Sequence, residues 1–148
     1  MTPRPAPNWP EGLILFDGVC VLCSAWVAFV VARDPDGLFR FTPIQSALGG
    51  RMARDLGIDP LAPDTVAVVF GGLASFKSDA ALAVLSQLPG FGWTRLLRFV
   101  PRRLRDAAYD RVARNRYRWF GRTDACLVPG PALRGRILQT VDALGQVP

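Results

Sequence analysis

The sequence contains no histidine and only three cysteines in 148 residues. A zinc site needs four ligands, so zinc would here require an oxygen ligand, a partner chain or an open coordination position. A secreted disulfide framework needs more cysteines, and usually an even number of them. The three thiols therefore indicate a reducing compartment, where cysteines are kept for reactivity or for metal binding. Because zinc ligands are scarce, we expect neither a metal nor a cofactor.

Long apolar runs are also missing. The most apolar stretch, residues 13–32, is interrupted by Asp17, Gly18 and two cysteines, which favours a buried strand and helix over a transmembrane span. Residues 1–11 contain four prolines among small and polar residues, so they predict a flexible, extended tail. This tail lacks the apolar centre of a secretory signal. We expect a cytoplasmic protein without a transmembrane segment.

Acidic residues are scarce in one segment. Between Arg95 and Arg122 there are ten arginines and only two acids, Asp106 and Asp110, a local charge of +8 in a chain of net charge +6. One interpretation is a solvated face on helices that pack their apolar side onto the sheet. The other is a surface for an anionic partner: an acidic protein, phospholipid headgroups or nucleic acid. Nucleic acid is the least favoured, because no nucleic-acid-binding motif accompanies the arginines.

Apolar periodicity and turn signals predict one domain over residues 12–130, with tails at 1–11 and 131–148. Serine and aspartate at 78–79 are expected to cap the third helix. The predicted strands are 13–16, 38–41, 65–70 and 73–76; the predicted helices are 20–32, 46–56, 80–85, two basic helices within about 93–120, and a short one at 132–144. The order β-α-β-α-β-β-α is that of a thioredoxin-like α/β fold. It predicts a central four-stranded mixed sheet flanked by helices, with a basic C-terminal helical extension.

Cys20 and Cys23 lie where the first predicted strand gives way to the first helix. The N-terminus of a helix stabilises a thiolate, which is the reactive form of cysteine. The spacing therefore predicts that Cys20 is the exposed attacking thiol and that Cys23 is the more buried resolving thiol of a disulfide-exchange cycle. Two ordinary buried cysteines are the alternative.

Asp17 is the third candidate site residue. Its carboxylate could exchange a proton with Cys23 when a mixed disulfide is resolved, or it could cap the turn by accepting backbone N–H groups. Asn115, Arg116 or Tyr117 could also fold back toward the cysteines, where an arginine would lower a thiol pKa. The third cysteine, Cys126, could be inert, approach the pair or cross-link two chains; the inert role is favoured.

Residues 16–23, Phe-Asp-Gly-Val-Cys-Val-Leu-Cys, resemble the Asp-Cys-Cys motif of the DCC family of thiol–disulfide oxidoreductases. The likeness covers about residues 13–129 and includes the blocks 77–80, 100–110, 111–121 and 124–126. It implies a thioredoxin-like oxidoreductase that acts on a disulfide-containing protein or a small thiol. The electron donor is not indicated. Val21-Leu22 replaces the Gly-Pro pair typical of thioredoxins, and the thioredoxin proline that faces the disulfide would correspond to Pro63.

Two hypotheses follow from these features. The first is a cytoplasmic oxidoreductase that uses Cys20, Cys23 and Asp17. The second is a non-catalytic binding module, whose basic helices dock an acidic or anionic partner and whose cysteines are structural or hold a metal with that partner.

Overall fold

A computed structural model of the protein describes residues 2–122 and 135–138. These residues form five strands, four α-helices and one 3₁₀ helix. The strands are β1 (Arg4–Pro5), β2 (Leu13–Phe16), β3 (Arg40–Pro43), β4 (Ala67–Phe70) and β5 (Leu73–Phe76). The helices are α1 (Val21–Arg33), α2 (Ala47–Asp55), α3 (Lys77–Leu85), the 3₁₀ helix Gly92–Phe99, and α4 (Arg102–Phe120).

The strands form one mixed sheet in the order β1-β5-β4-β2-β3. Strands β2 and β3 are parallel and are joined by α1, whereas β2–β4, β4–β5 and β1–β5 are antiparallel. This parallel β-α-β unit followed by an antiparallel hairpin and a helix is consistent with a thioredoxin-like fold. The predicted α/β class is confirmed.

The sheet has five strands where the sequence predicts four, because part of the N-terminal tail joins its edge. The backbone of Ala6 donates to Gly72, and the guanidinium of Arg4 donates to the carbonyl of Leu56 at 2.8 Å. Ala6 and Trp9 are buried. A short strand that contains proline suits the edge of a sheet, because the N–H group that proline lacks is not needed on the side without a neighbouring strand.

Helices cover both faces of the sheet. Along β2, Leu13 and Leu15 pack into a cluster with α2, while Ile14 and Phe16 pack into a cluster with α1 and α3. Because side chains alternate along a strand, a strand that is buried on both faces is apolar throughout. This explains why the run Leu-Ile-Leu-Phe has no polar alternation, and it places the end of β2 deep inside the fold.

Two strands begin two residues later than the sequence predicts. Leu38 and Phe39 donate their N–H groups to the carboxylate of Asp34 at 3.0 and 2.9 Å, so they belong to a loop and β3 begins after them. Before β4, the backbone N–H of Val66 donates to the hydroxyl of Tyr109 at 3.0 Å. Side chains, from nearby Asp34 in one case and from Tyr109 of α4 in the other, thus replace the sheet as partners of these residues.

The predicted cap of α3 is wrong. The helix begins at Lys77, and the residue before it, Phe76, makes no side-chain cap hydrogen bond. The Ser78 hydroxyl instead donates to Asp106 of α4. The side chain of Ser78, which the local sequence predicts as a helix cap, therefore bonds to α4 instead.

One of the two interpretations of the basic segment, that its apolar side packs onto the sheet, does not hold at Leu96 and Leu104, which are 65% and 63% exposed. Leu96 belongs to residues 92–99, which form a 3₁₀ helix. Such a helix has about 3.0 residues per turn, so side chains that share a face in an α-helix point in different directions here.

Only four residues of the predicted C-terminal helix 132–144 are described, and they are not helical. Residues 135–138 form a turn and a short bridge in which Ile137 lies beside Phe41. The remainder of that segment and Cys126 lie outside the described residues. Within the described ranges, no helix has the length and apolar character needed to cross a bilayer.

Candidate active site

Cys20 occupies the position immediately before α1. Its backbone is extended, with φ −86° and ψ 122°, and its Sγ accepts a hydrogen bond from the backbone N–H of Cys23 at 3.3 Å. The first turn of a helix has N–H groups without intrahelical partners, and here a sulfur atom satisfies one of them. The fold therefore places the Cys20 sulfur at the N-terminus of α1, as the sequence predicts, where one helix N–H group donates to it.

The two thiols have opposite pKa shifts. The interaction with the Cys23 thiol lowers the pKa of Cys20 to about 6, and the Cys23 N–H and the charge of Arg116 act in the same direction against the effect of burial. The pKa of Cys23 is raised, mainly by the same interaction with the Cys20 thiol and secondly by burial. The directions of the two shifts favour Cys20 as the thiol of the pair that loses its proton first.

The predicted order of exposure is wrong. Cys20 is 0% exposed, whereas Cys23 is partly exposed. The chain that leaves α4 crosses over Cys20: Arg122 forms an antiparallel bridge with it, and the carbonyl of Gly121 accepts from the backbone N–H of Val21 at 3.4 Å. A contact across a hundred residues cannot be read from the local spacing of the two cysteines.

Asp17 is buried beside the pair and accepts hydrogen bonds from both neighbouring and distant residues. Its Oδ1 accepts from the backbone of Val19 at 3.2 Å and from the side-chain amide of Gln45 at 2.7 Å. Its Oδ2 accepts from Arg116 at 3.0 Å and from the hydroxyl of Tyr117. Asp17 thus caps the turn, as one of its two predicted roles requires, and it also anchors α4 to the site.

The C-terminal half of α4 carries a buried cation to the site. The side chain of Arg116 is 9% exposed, and its guanidinium donates to Asp17 and, at 2.6 Å, to the carbonyl of Pro63. Burial and then the hydrogen bond with Asp17 raise the pKa of Tyr117, which keeps its hydroxyl protonated as a donor. Of the three residues expected to fold back, Arg116 and Tyr117 do so, whereas the side chain of Asn115 bonds to the backbone of Arg111 at 2.7 Å.

Helix α4 is held in this position by its other half. Arg105 bonds to Asp79 of α3 at 2.9 Å, and Lys77 forms an ion pair with Asp110 at 2.7 Å. These contacts fix the direction of α4 as it passes α3, so that Arg116, about three turns beyond Arg105, reaches the end of β2.

A mostly apolar pocket of about 200 Å³ borders Cys23 and not Cys20. Pro63, the residue that would correspond to the thioredoxin proline, lies in its wall. The full lining is Asp17, Leu22, Cys23, Trp26, Pro63, Thr65, Val66, Ala81, Tyr109, Val112, Ala113 and Arg116. The apolar wall accounts for the contribution of burial to the raised pKa of Cys23.

Gln45 is a site residue that the sequence analysis did not predict. It donates to Asp17, and its Oε1 accepts from the backbone of Gly18 at 2.9 Å. The signal was topological: Asp17 follows β2 and Gln45 follows β3, and the carboxyl ends of neighbouring parallel strands lie at the same edge of a sheet. In the described ranges, no three histidine, cysteine or acidic side chains come together in a group that could hold a metal ion.

Comparisons with known proteins agree with the resemblance of the motif. The family model described as DCC1-like thiol-disulfide oxidoreductase matches residues 14–122. The uncharacterized protein YuxK of Bacillus subtilis (strain 168) is 39% identical over 131 residues, which cover 87% of this chain and 95% of YuxK. The chloroplastic DCC family protein At1g52590 of Arabidopsis thaliana is 37% identical over 116 residues, covering 77% of this chain and 67% of that protein. No solved structure matches the chain.

Proposed function

Because the chain belongs to the DCC1-like thiol–disulfide oxidoreductase family, we propose that it exchanges disulfides through Cys20 and Cys23, with Cys20 attacking and Cys23 resolving. The observation that carries the assignment of roles is the hydrogen bond from the Cys23 N–H to the Cys20 sulfur at the start of α1. A hydrogen bond to the charged form stabilises a thiolate, so the thiol that receives it is the better nucleophile at neutral pH.

The proposed cycle transfers two electrons from the dithiol to a substrate disulfide. The Cys20 thiolate attacks one substrate sulfur, the substrate S–S bond breaks, and the departing thiolate takes up a proton. Cys23 then loses its proton and attacks the Cys20 sulfur of the mixed disulfide, which releases the second substrate thiolate and leaves a Cys20–Cys23 disulfide. An external thiol reductant restores the dithiol. We propose a disulfide-containing protein or a small disulfide as substrate, in a reducing compartment such as the cytoplasm.

The positions of the site residues support three further roles. Arg116 is a positioning residue that contributes positive charge near the Cys20 thiolate. Asp17 lines the pocket with Cys23, and we propose that it accepts the Cys23 proton when the mixed disulfide is resolved. The segment Gly121–Arg122 covers Cys20 and must move aside before a substrate disulfide can reach the sulfur.

Reduction of a protein disulfide by the full-length chain, with dithiothreitol as the reductant, tests the assignment. Cys20→Ser is expected to abolish activity, because it removes the nucleophile. Cys23→Ser is expected to accumulate a mixed disulfide with the substrate, visible by mass spectrometry. Cys126→Ser is the matched control and is expected to retain activity.

An unchanged rate in the Cys20→Ser variant would overturn the proposed function. The same result, together with binding of an anionic partner that does not depend on Cys20, would support the binding-module alternative. A mixed disulfide that forms on Cys23 in the Cys20→Ser variant at the rate of the unaltered protein would reverse the two roles.

A further inference from the structure

The 3₁₀ helix presents an apolar stripe to solvent. Trp93 is 60% exposed, Leu96 is 65% exposed and Phe99 is 86% exposed. In a 3₁₀ helix the side chains of residues three apart lie above one another, so these three form one continuous row. Scattered exposed apolar residues are common on proteins, but a row of three large ones indicates a surface that binds something.

A basic stripe lies next to the apolar one. Arg95 and Arg98 are also three residues apart, and both are exposed. Neither forms an ion pair with another residue of the described ranges. No acidic residue occurs between Asp79 and Asp106, so this part of the chain carries only positive charge.

The third side of the 3₁₀ helix attaches it to the domain. Thr94 is 2% exposed, and its hydroxyl donates to the carbonyl of Phe91 at 2.7 Å. The ring of Phe91 packs edge-on against Phe29 of α1, with their centroids 5.5 Å apart. The apolar and basic stripes are therefore presented by a segment that is anchored to the fold.

We propose that the surface formed by Trp93, Leu96, Phe99, Arg95 and Arg98, here called the 3₁₀ surface, binds the interface of a bilayer that contains anionic phospholipid. The apolar row enters the boundary between headgroups and acyl chains, while the guanidinium groups pair with lipid phosphates. The mode is peripheral and needs no membrane-spanning helix. It rests on the 3₁₀ surface alone and does not depend on the redox role of the cysteines.

Two other occupants suit this surface less well. A second copy of the chain, related by a two-fold axis, would bring the arginines of both 3₁₀ surfaces into one interface to which neither surface contributes an acidic residue. A nucleic acid would satisfy the arginines and could stack on Trp93 or Phe99, but the exposed Leu96 at the centre of the row gains nothing from stacking. Acyl chains accommodate an aliphatic and an aromatic side chain equally.

Co-sedimentation of the full-length protein with vesicles tests the proposal. Vesicles of phosphatidylcholine and phosphatidylglycerol in equal parts are compared with phosphatidylcholine alone, in low salt. Arg95→Gln/Arg98→Gln is expected to lower the partition coefficient about 30-fold on anionic vesicles, because two cations leave the surface. Leu96→Ser/Phe99→Ser is expected to lower it at least about tenfold.

The chain offers a matched control for each variant. Arg51→Gln/Arg54→Gln removes two exposed arginines from α2 and is expected to change partition less than about threefold, since distant charges are screened. Leu61→Ser replaces a 94% exposed leucine elsewhere on the surface and is expected to leave partition unchanged. Circular dichroism and thermal unfolding of each variant separate loss of binding from loss of fold.

Depth is measured by quenching of tryptophan fluorescence with brominated phospholipids. Trp93→Phe is expected to remove most of the quenching. Trp119→Phe, which replaces another half-exposed tryptophan at the end of α4, is expected to retain it.

Four outcomes would overturn the proposal. They are equal binding to neutral and anionic vesicles, an equal loss in the control variants, quenching that survives Trp93→Phe, and no vesicle binding by a folded protein. Concentration-dependent dimerisation, or binding of single-stranded RNA, that is lost in the 3₁₀ surface variants without any vesicle binding would assign the surface to that partner instead.

Discussion

Arginines of the same basic segment have very different surroundings. The side chain of Arg116 is 9% exposed and bonds to a carboxylate, a tyrosine hydroxyl and a backbone carbonyl. Arg95 and Arg98, at the other end of the segment, are exposed and have no ion-pair partner in the described ranges. The difference shows that a charge cluster in a sequence is not one functional unit, since part of it can build a buried site while another part faces solvent.

Replacing the buried Arg116 is expected to have the largest effect on stability. Arg116→Met leaves the Asp17 carboxylate buried without its cation, so the free energy of unfolding should fall by about 3–5 kcal/mol. Urea denaturation checks this, with Arg118→Met, an exposed arginine two residues on, as the control. A loss below about 1 kcal/mol, no larger than for an average substitution, would contradict the buried ion pair.

The pH dependence of stability extends the comparison, because the charge of Arg116 helps to lower the pKa of Cys20, whereas the exposed Arg95 and Arg98 are not among the causes of that shift. The folded pKa of Cys20 is about 6, below the value of 9.0 for an unperturbed cysteine. A group whose pKa is lowered by folding stabilises the protein above its unfolded pKa, and this contribution is lost as pH falls.

The reduced protein should therefore gain stability between pH 6 and 9 relative to Cys20→Ala, by at most about 4 kcal/mol over the three pH units. Urea denaturation of both proteins at four pH values in this range measures the difference. In Arg116→Met the gain should be smaller, and in Arg98→Gln it should be unchanged. A stability difference that rises toward low pH would have the opposite sign and would contradict the thiolate assignment.

Neighbouring arginines at the start of α4 offer a smaller contrast. Arg105 bonds to Ser78 and Asp79 of α3 and its side chain is 13% exposed, whereas Arg103 is exposed. Arg105→Gln should lower the free energy of unfolding by roughly 1.5–3 kcal/mol, as expected for hydrogen bonds to charged groups. Arg103→Gln is the control. Equal losses in thermal or urea unfolding would show that α3 does not orient α4 through this contact.

The smallest effect on stability is expected at the 3₁₀ surface. Arg95→Gln/Arg98→Gln should change the free energy of unfolding by less than about 0.5 kcal/mol, since each side chain is exposed. Urea denaturation measures it. A fall in the free energy of unfolding comparable to that of Arg105→Gln would show that Arg95 and Arg98 have a structural role. The contrast between the exposed arginines and the buried Arg116 would then not hold.

Local patterns predicted most of the elements. The apolar run of β2, the turn at Asp17-Gly18 and the helical periodicity after Cys20 gave the strand, turn and helix that carry the pair. Their bounds were accurate because each is set by neighbours in sequence. The start of β3 was predicted two residues early because the carboxylate of Asp34 binds the backbone of Leu38 and Phe39.

Longer-range features could not be predicted in this way. The sequence suggested that Arg116 or Tyr117 folds back toward the cysteines but could not place either, because their position depends on the contacts that orient α4 against α3. The exposure of the two cysteines was predicted in the wrong order, since the chain that covers Cys20 comes from the far end of α4.

The sequence by itself determined the thiol pair, its place at a helix N-terminus and the class of the fold, because these depend on residue types at short spacing. Only the tertiary structure decided which arginine reaches the pair, which thiol is covered and which apolar row faces solvent. Those properties depend on how elements separated by up to a hundred residues pack together. Local periodicity carries no information about that packing.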